Sequence, residues 1–458
     1  MSNVIGIICE YNPFHNGHLY QIDKLRHEHG ADVIICAMSG HFLQRGEPAL
    51  LDKIRRARMA LSCGADLVIE LPALYSTRSA YWFALGGVSL LAAAGITRLA
   101  FGAETDALPD LLSTAQRLAN PDMEYRNALK RFLTAGLSFS EAQAKALNND
   151  CHRHFVPSLP NDRLALSYLM VIMEKRLPVE PLLIARHGAG FHDTSLPQDN
   201  APGSATAIRE LLERAVTGAR AFTGTRAVTG ARAVTGAGVG DSRNHFLTGD
   251  APGVFASLSR PSRSLGETSV RELGLDRYIP EAALPWLVNA PLVFARDAEP
   301  LQLALLRRAS LDNLRALPDM TEGLEHRVLS AAGKARDMAE FYYLLKTKRY
   351  TMTRLKRLAT HLLIDYRETH AEDIREGCPY LRILGANARG RAHLSAIRKT
   401  APIPLISRYS QMKAYIKTNS HAAKAWEIEL KATAMRGLLE NADFSKGNPE
   451  FFLSTVNI

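Results

Sequence analysis

Two histidines near the N-terminus, His15 and His18, stand three residues apart on either side of Gly17. An apolar run at residues 4–8 precedes them, Pro13 prevents that run from continuing as a strand, and a half-buried helical pattern follows. Both imidazoles are therefore expected at a helix N-terminus, where orphan N–H groups and the helix dipole attract phosphate. Two imidazoles placed there can donate hydrogen bonds to one anion as its charge grows.

The same histidines have a simpler explanation, in which one caps the helix and the other is solvated. We favour a nucleotide-binding turn because three features coincide with the pair: a buried strand before it, a proline within the turn and a glycine between the histidines. Gly17 in particular lets the backbone approach a ligand closely.

Apolar runs alternate with helical patterns over the first 190 residues. The strand-like runs lie at residues 4–8, 31–38, 66–71, 97–104 and 179–187. This alternation predicts an α/β fold with a Rossmann-like, doubly wound parallel sheet and right-handed crossovers. Ligands bind such sheets at the carboxyl ends of the strands. The histidine turn follows the first strand and is therefore expected at that edge.

Two further polar segments are expected near this edge of the sheet. The loop at residues 41–48 follows the second predicted strand directly and combines hydrogen-bond donors, a carboxylate and turn formers. A hydroxyl-rich segment opens a later helix, where its side chains either cap that helix or bind phosphate oxygens. The candidates for secondary phosphate binding are Ser204, Thr206 and Arg209.

Composition limits the classes of protein that the chain can represent. Its 458 residues are 47% hydrophobic, enough for two or three domains with real cores. The five cysteines are scattered, without a Cys-x-x-Cys pair, and no run is long enough to span a membrane. We therefore expect a protein of the reducing cytoplasm, with no membrane contact. The sequence predicts no protein partner.

A net charge of +10 suggests a polyanionic partner, and the basic residues cluster late in the chain. Residues 346–357 contain six basic side chains, no acidic one, and an interleaved Tyr350. This pattern predicts a surface for an RNA backbone, although a solvated helix face is the plain alternative. A glycine-punctuated basic segment at residues 380–391 is interpreted either as a loop between helices or as a further RNA contact.

Residues 214–237 repeat a six-residue Arg-Ala-Val/Phe-Thr-Gly-Ala/Thr unit four times. The repeat has too little apolar content for a stacked core, and glycine and threonine disfavour helix. We predict a mobile linker over residues 214–252. It separates a catalytic domain at residues 1–213 from a mainly α-helical domain at residues 253–458.

These motifs together resemble the tRNA(Met) cytidine acetate ligase family of the nucleotidylyltransferase superfamily. The turn at residues 12–18 resembles the His-x-Gly-His motif of the superfamily, and residues 203–209 resemble its second phosphate motif. The more specific similarity lies in residues 10–20, in the Gln-Arg-Gly-Glu-Pro loop at residues 44–48 and in residues 66–72. The repeat departs from the family pattern.

The resemblance implies an ATP-dependent ligase that activates acetate as acetyl-adenylate and then acetylates the exocyclic amine of the wobble cytidine of elongator tRNA(Met). His15 and His18 would be catalytic, Mg²⁺ would accompany the triphosphate, and no residue cluster identifies metal ligands. The implied ATP-binding residues are Ile7, Ile8, Cys9, Glu10, Tyr11, Asn12, Pro13, Phe14, His15, Asn16, Gly17, His18, Leu19, Tyr20, Gly102, Asn161 and Arg186. The acetate-pocket candidates are Gln44, Arg45 and Glu47, and the tRNA-binding candidates are Lys346, Lys348, Arg349, Arg354 and Arg357.

Two other functions fit parts of the sequence. A nucleotidylyltransferase acting on a small phosphorylated metabolite would explain the first domain equally well but would leave the basic cluster unexplained. A non-enzymatic RNA-binding factor on a degenerate nucleotide fold would explain the basic cluster, but the intact His15, Gly17 and His18 argue against it.

Overall fold

The structure, a computed structural model, describes residues 2–137, 139–148, 156, 159–185, 203–224, 263–321, 323–347 and 350–458. The strands are β1 (Val4–Cys9), β2 (Val33–Ser39), β3 (Leu67–Leu71), β4 (Arg98–Ala103), β5 (Glu180–Ala185), β6 (Leu381–Ala386), β7 (Leu405–Ile406) and β8 (Val456–Asn457). The helices of the first half are α1 (Asn16–His27), α2 (Lys53–Ser62), α3 (Ala73–Ser76), α4 (Ala80–Ala93), α5 (Leu108–Ala119), α6 (Met123–Thr134), α7 (Phe139–Leu147), α8 (Pro160–Glu174) and α9 (Ala205–Gly224). Those of the second half are α10 (Glu267–Glu272), α11 (Ala295–Arg308), α12 (Leu311–Arg315), α13 (Leu324–Lys334), α14 (Met338–Leu345), α15 (Met352–Leu363), α16 (Ala388–Ile397), α17 (Tyr409–Tyr415) and α18 (Ser420–Glu440).

The strands form one sheet in the order β5-β4-β1-β2-β3-β6-β7, with β8 beside β6. From β5 to β3 every neighbouring pair is parallel. The chain moves outward from β1 in one direction through β2 and β3, and in the other through β4 and β5, which is a doubly wound order. The predicted fold class is confirmed, because each of the five predicted runs became one of these parallel strands.

Alternate residues of the central strands feed two hydrophobic cores, one on each face of the sheet. In β2, Val33, Ile35 and Ala37 join the core formed with α4, α8 and α18. Ile34 and Cys36 join the opposite core, which α1, α2 and α9 complete. Burial on both faces explains why these strands are almost wholly apolar in sequence.

The segment 380–391 differs from its prediction. Leu381–Ala386 is the buried strand β6, which pairs antiparallel with β3, so neither the loop nor the RNA-contact interpretation holds for this part. The misleading residue is Arg382, a charged side chain within an apolar run. It is only 2% exposed and lies 3.4 Å from the carboxylate of Glu450, so its charge is paired inside the protein.

Helix α9 continues to Gly224, past the expected start of the linker at residue 214. The linker prediction is wrong for residues 214–224. An apolar stripe explains the extension, because Ile208, Leu212 and Val216 recur at helical spacing and are all buried in the core. The remainder of the predicted linker lies outside the described residues.

Helices α11 to α15 pack around a third hydrophobic core, which includes Leu306, Leu314, Phe341 and Leu355. The mainly helical character predicted for the second half is thus confirmed, alongside its contribution of β6, β7 and β8 to the sheet. No helix in the described part of the chain combines the length and apolar content that a bilayer crossing requires.

Candidate active site

A cavity of about 280 Å³ lies at the carboxyl ends of β1, β4 and β5. The N-termini of α1, α8 and α9 converge on it, as the edge rule for open α/β sheets predicts. The predicted residues that line it are Ile7, Ile8, Cys9, Glu10, Tyr11, Asn12, His15, Gly17, His18, Tyr20, Gly102, Asn161, Ser204, Thr206 and Arg209, together with Gln44, Arg45 and Glu47 from the polar loop.

His15 and His18 form a reciprocal cap at the start of α1. The Nδ1 atom of His15 accepts a hydrogen bond from the Gly17 N–H at 3.1 Å, and the Nδ1 atom of His18 accepts one from the His15 N–H at 3.2 Å. The two rings stack with centroids 3.7 Å apart. Because each Nδ1 accepts a backbone proton, a neutral imidazole carries its own proton on Nε2. Capping and ligand binding are therefore compatible roles for these histidines.

The N-terminus of α9 faces the same cavity. The Oγ atom of Ser204 accepts a hydrogen bond from the Ala207 N–H at 3.0 Å, so this serine does cap the helix. Arg209 donates to the carbonyl of Asn12 at 2.7 Å and to the hydroxyl of Thr206 at 3.3 Å. Arg209 thereby connects α9 to the histidine turn, with only 23% of its side chain exposed.

A third wall joins the end of β4 to the start of α8. The Glu104 carboxylate accepts hydrogen bonds from the Asn161 side chain at 2.5 Å and from the Asp162 N–H at 2.9 Å. In return, Asp162 accepts hydrogen bonds from the N–H groups of Glu104 and Thr105 at 2.9 and 3.0 Å. This exchange fixes Asn161 beside Gly102, where both residues line the cavity.

Residues 40–50, which we call the 40–50 loop, supply the fourth wall. Its tip packs on α15: the Thr360 hydroxyl donates to the Gly46 carbonyl at 2.9 Å. Gly46 has a φ of +76°, and a Cβ there would lie 2.4 Å from the backbone nitrogen of Arg357. Only glycine fits this contact. The second half of the chain therefore supports a loop that opens onto a cavity formed by the first half.

Charges of both signs meet where the 40–50 loop approaches the histidine turn. Glu10 accepts a hydrogen bond from the Gln44 N–H at 2.8 Å, and burial raises the pKa of its carboxyl above the ordinary value. Burial also lowers the pKa of Arg45, against the opposing effect of Glu10 and Glu47. Glu47 lies 3.8 Å from Arg209 across the cavity. The guanidinium of Arg45 thus lies near two carboxylates, Glu47 on the loop and Glu10 on the turn.

Some predicted residues have other positions. Phe14 is fully buried in the core, and Leu19 is partly buried against it. The Asn16 side chain donates to the carbonyl of Arg277 at 2.8 Å, and Pro13 forms a cis peptide with the residue before it. These four support the turn without lining the cavity. Arg186 lies outside the described residues.

Sequence reasoning missed an apolar wall of the cavity. Its main members are Phe83 from α4 and Leu164 and Tyr168 from α8. Burial, together with nearby Glu10 and Cys9, raises the pKa of Tyr168 above its ordinary value. The sequence contained a weak signal for this wall. Leu164 lies three residues after Asn161 and Tyr168 lies four residues after Leu164, so the three share one helix face.

The comparisons with known proteins agree with this geometry. The family described as HIGH Nucleotidyl Transferase matches residues 2–230 and 253–449. A tRNA(Met) cytidine acetate ligase of Syntrophomonas wolfei is 35% identical over 439 residues, covering 94% of this chain and 93% of that protein. The tRNA(Met) cytidine acetate ligase of Bacillus subtilis is 32% identical over 446 residues, covering 95% and 92%.

The chain belongs to the tRNA(Met) cytidine acetate ligase family. The crystal structure of Thermotoga maritima TmcAL bound with alpha-thio ATP has a TM-score of 0.79 and 26% identity, with full coverage of both chains. The apo crystal structure of the same protein has a TM-score of 0.81 and 27% identity, again with full coverage. The similarity to the family thus extends over both halves of the chain.

The residues of the basic cluster that the family resemblance associates with tRNA differ in their exposure to solvent. Lys346 is exposed, and Arg354 is half-buried and donates to the Asp319 carbonyl at 2.7 Å. Arg357 is only 7% exposed and donates to the Gln44 carbonyl at 3.5 Å. A solvent-facing position is wrong for Arg357, because α15 turns this side chain toward the 40–50 loop. Two members of the cluster lie outside the described residues: Lys348 and Arg349.

Proposed function

We propose that this chain is an ATP-dependent ligase that activates acetate as acetyl-adenylate and acetylates the wobble cytidine of elongator tRNA(Met). One observation carries the proposal: the N-termini of α1 and α9 face one cavity, with His15 and His18 on one helix and Ser204 and Arg209 at the start of the other. Two such termini can bind a triphosphate from opposite sides. The alpha-thio ATP bound to Thermotoga maritima TmcAL supports ATP as the occupant.

The first reaction needs positioned charge and no protein nucleophile. An acetate oxygen attacks the α-phosphorus, the bond from that phosphorus to the bridging oxygen breaks, and pyrophosphate leaves with the bonding electrons. Negative charge grows on the α-phosphate and on the leaving group. The Nε2–H groups of His15 and His18 and the guanidinium of Arg209 are the donors that would stabilise it.

Acetate is expected at the wall formed by the 40–50 loop. Arg45 offers a guanidinium that can pair with a carboxylate, and Gln44 offers an amide donor. Phe83 and Tyr168 supply apolar surface for a methyl group. A small pocket of this composition would favour acetate over longer acids.

Mg²⁺ would reach this cavity on the triphosphate. In the described residues no group of three or more His, Cys, Asp or Glu side chains is arranged to hold a metal ion. Mg²⁺ commonly keeps several waters and binds through substrate phosphates, so phosphate oxygens would be its main ligands here. When bound, it would neutralise charge on the leaving pyrophosphate.

In the second reaction the exocyclic amine of the cytidine attacks the acetyl carbonyl carbon. The bond from that carbon to the AMP oxygen breaks, AMP leaves with the bonding electrons, and the proton that the amine loses passes to solvent water. The base must be unstacked to enter the cavity, and single-stranded anticodon bases are suitable targets for this. Proximity to the bound adenylate supplies most of the rate advantage.

We expect the purified protein to acetylate elongator tRNA(Met) with ATP, Mg²⁺ and labelled acetate. Acetyl-coenzyme A, tested in parallel without acetate, should give no product, because the proposed chemistry passes through an adenylate. Nucleoside analysis of the tRNA by mass spectrometry would detect the product at the wobble position. A folded protein that binds ATP yet transfers no acetate would refute the ligase assignment.

We also propose that Lys346, Lys348, Arg349 and Arg354 contact the tRNA backbone. Replacing Lys348 and Arg349 together by Glu should weaken tRNA binding and reduce the slope of log affinity against log salt by about 2, since each phosphate contact contributes about 1. Filter binding over a salt series measures both quantities. ATP binding should not change. An unaltered tRNA affinity would mean that the pair is only a solvated surface.

A further inference from the structure

The 40–50 loop is held at both ends by buried arginines that belong to different parts of the chain. Arg56, on α2, donates to the carbonyls of Ser39 at 3.0 Å and of Gly40 at the start of the loop. Arg436, on α18, donates to the carbonyls of Ala49 and, at 3.1 Å, Leu50 at its end.

Arg436 uses the whole guanidinium group in this arrangement. Its side chain is 1% exposed. Its Nε atom donates to the Glu440 carboxylate at 2.5 Å, and its two Nη atoms donate to the loop carbonyls. A planar fork can satisfy three acceptors in fixed directions, which the ammonium of lysine cannot do in the same geometry. Arg436 is not among the residues that line the 280 Å³ cavity proposed to bind ATP.

The loop end that Arg436 holds is also connected to the histidine turn. The Leu50 N–H donates to the side-chain carbonyl of Asn12 at 2.7 Å. Asn12 is fixed independently, because Arg209 donates to its backbone carbonyl. Arg56 likewise donates to the Glu10 carbonyl at 2.7 Å. The Val293 N–H also donates to the Leu50 carbonyl at 3.0 Å. Loss of Arg436 would therefore loosen the end of the loop but leave the turn attached.

We propose that Arg436 is a positioning residue for acetate. By fixing the carbonyls of Ala49 and Leu50, it sets where Gln44 and Arg45 stand in the cavity, although it touches neither substrate. The inference rests on the proposed ligase function and deepens it, since it assigns control of the acetate site to a helix from the end of the chain.

A second cavity gives access to Arg436 from the opposite side. It has a volume of about 490 Å³, lies between α2 and α18, and is lined by Arg436 with His41, Trp286 and Glu440. A small cation could reach the position of the guanidinium through this space if the arginine side chain were shortened. Chemical rescue is therefore a practical test.

Arg436→Lys should raise the KM for acetate by about tenfold or more, comparable to losing one hydrogen bond made by a charged group. The KM for ATP should stay close to that of the wild type. The matched control is Arg382→Lys, which alters an equally buried arginine that contacts Glu450 and, among the described residues, makes no hydrogen bond to the loop. That control should lose stability without a change in the KM for acetate.

Two further measurements separate positioning from general instability. Amide exchange of residues 43–50 should become faster in Arg436→Lys than in Arg382→Lys. Added guanidinium, at concentrations too low to denature, should partly restore acetate use by Arg436→Ala and have no such effect on Arg382→Ala. If Arg436→Ala does not fold, the lysine variant and its exchange pattern still provide the test.

The outcomes distinguish the two proposals. A wild-type protein without acetate-dependent activity would refute the ligase function itself. An active wild type with an unchanged KM for acetate in Arg436→Lys, or with equal rises in the KM for acetate and for ATP, would overturn the positioning role and leave the ligase function intact.

Discussion

Replacing His18 by Ala is expected to lower the rate of acetyl-adenylate formation by about 100- to 1,000-fold, the usual effect of removing one donor from a developing anion. ATP should still bind, because Gly17, Asn161 and the α9 terminus remain. Acetate-dependent exchange of pyrophosphate into ATP measures this step without tRNA, and tRNA binding should be unchanged.

His27→Ala is the matched control for this substitution. His27 lies on the same helix, α1, and is exposed at its far end, where its ring contacts the Asp23 carbonyl at 3.0 Å. The control should retain the full exchange rate. A normal rate in His18→Ala would assign the histidine to helix capping alone and remove it from the chemistry.

Replacing Glu450 by Gln is expected to destabilise the fold by about 3–5 kcal/mol, as is typical when one partner of a buried ion pair is removed. Lys53 is fully buried and lies 2.7 Å from Glu450 and 2.6 Å from Glu70. Burial alone would raise the pKa of Glu450, but Lys53 and Arg382 outweigh it and hold that pKa below the ordinary value. The native protein therefore contains Glu450 as a charged carboxylate.

Glu429 provides an internal comparison within the same cluster. Burial and the proximity of Glu70 raise its pKa well above the ordinary value, so folding disfavours the charged form of this carboxyl. Glu429→Gln should cost about 1 kcal/mol or less, as for an ordinary substitution. Urea unfolding at neutral pH measures the free energy of unfolding of both variants. Equal losses of stability would contradict the opposite directions of the two pKa shifts.

The two variants should also respond oppositely to pH. A carboxyl whose pKa is lowered by folding adds stability above its unfolded pKa, about 4.3 for Glu, and loses it as the pH falls. The difference in the free energy of unfolding between wild type and Glu450→Gln should therefore shrink as the pH falls. Folding raises the pKa of Glu429, so this carboxyl lowers the stability of the wild type as the pH rises above its unfolded pKa. Over that pH range the free energy of unfolding of Glu429→Gln should increase relative to that of the wild type.

The local elements of the site were predictable because each leaves a short-range pattern. The apolar strands, the proline and the two histidines identified β1, the turn and α1. Contacts between distant segments leave no such pattern. Besides β2, β3 pairs with β6, which lies more than 300 residues later in the chain. Arg382 on β6 resembles a surface residue until Glu450 is placed beside it.

The same reason explains which charged residues were misinterpreted. A run of basic residues indicates a surface, yet Arg357 is buried against the 40–50 loop. Lys53 and Arg436, which the fold buries almost completely, have no local feature that separates them from solvated residues. Lys53 pairs with Glu70 and Glu450, and Arg436 donates to the carbonyls of Ala49 and Leu50. These acceptors are distant in sequence, so only the tertiary structure reveals the roles of the two residues.

The antiparallel pairing of β6 with β3 can form only late in the synthesis of the polypeptide. The nascent chain reaches β3 early, but the neighbour that covers its edge emerges from the ribosome only after residue 386 has been made. Until then β3 presents unpaired N–H and C=O groups, a feature that promotes aggregation. A gene fragment that stops at the repeat would leave this edge permanently open and would also omit α15 and Arg436, which hold the 40–50 loop.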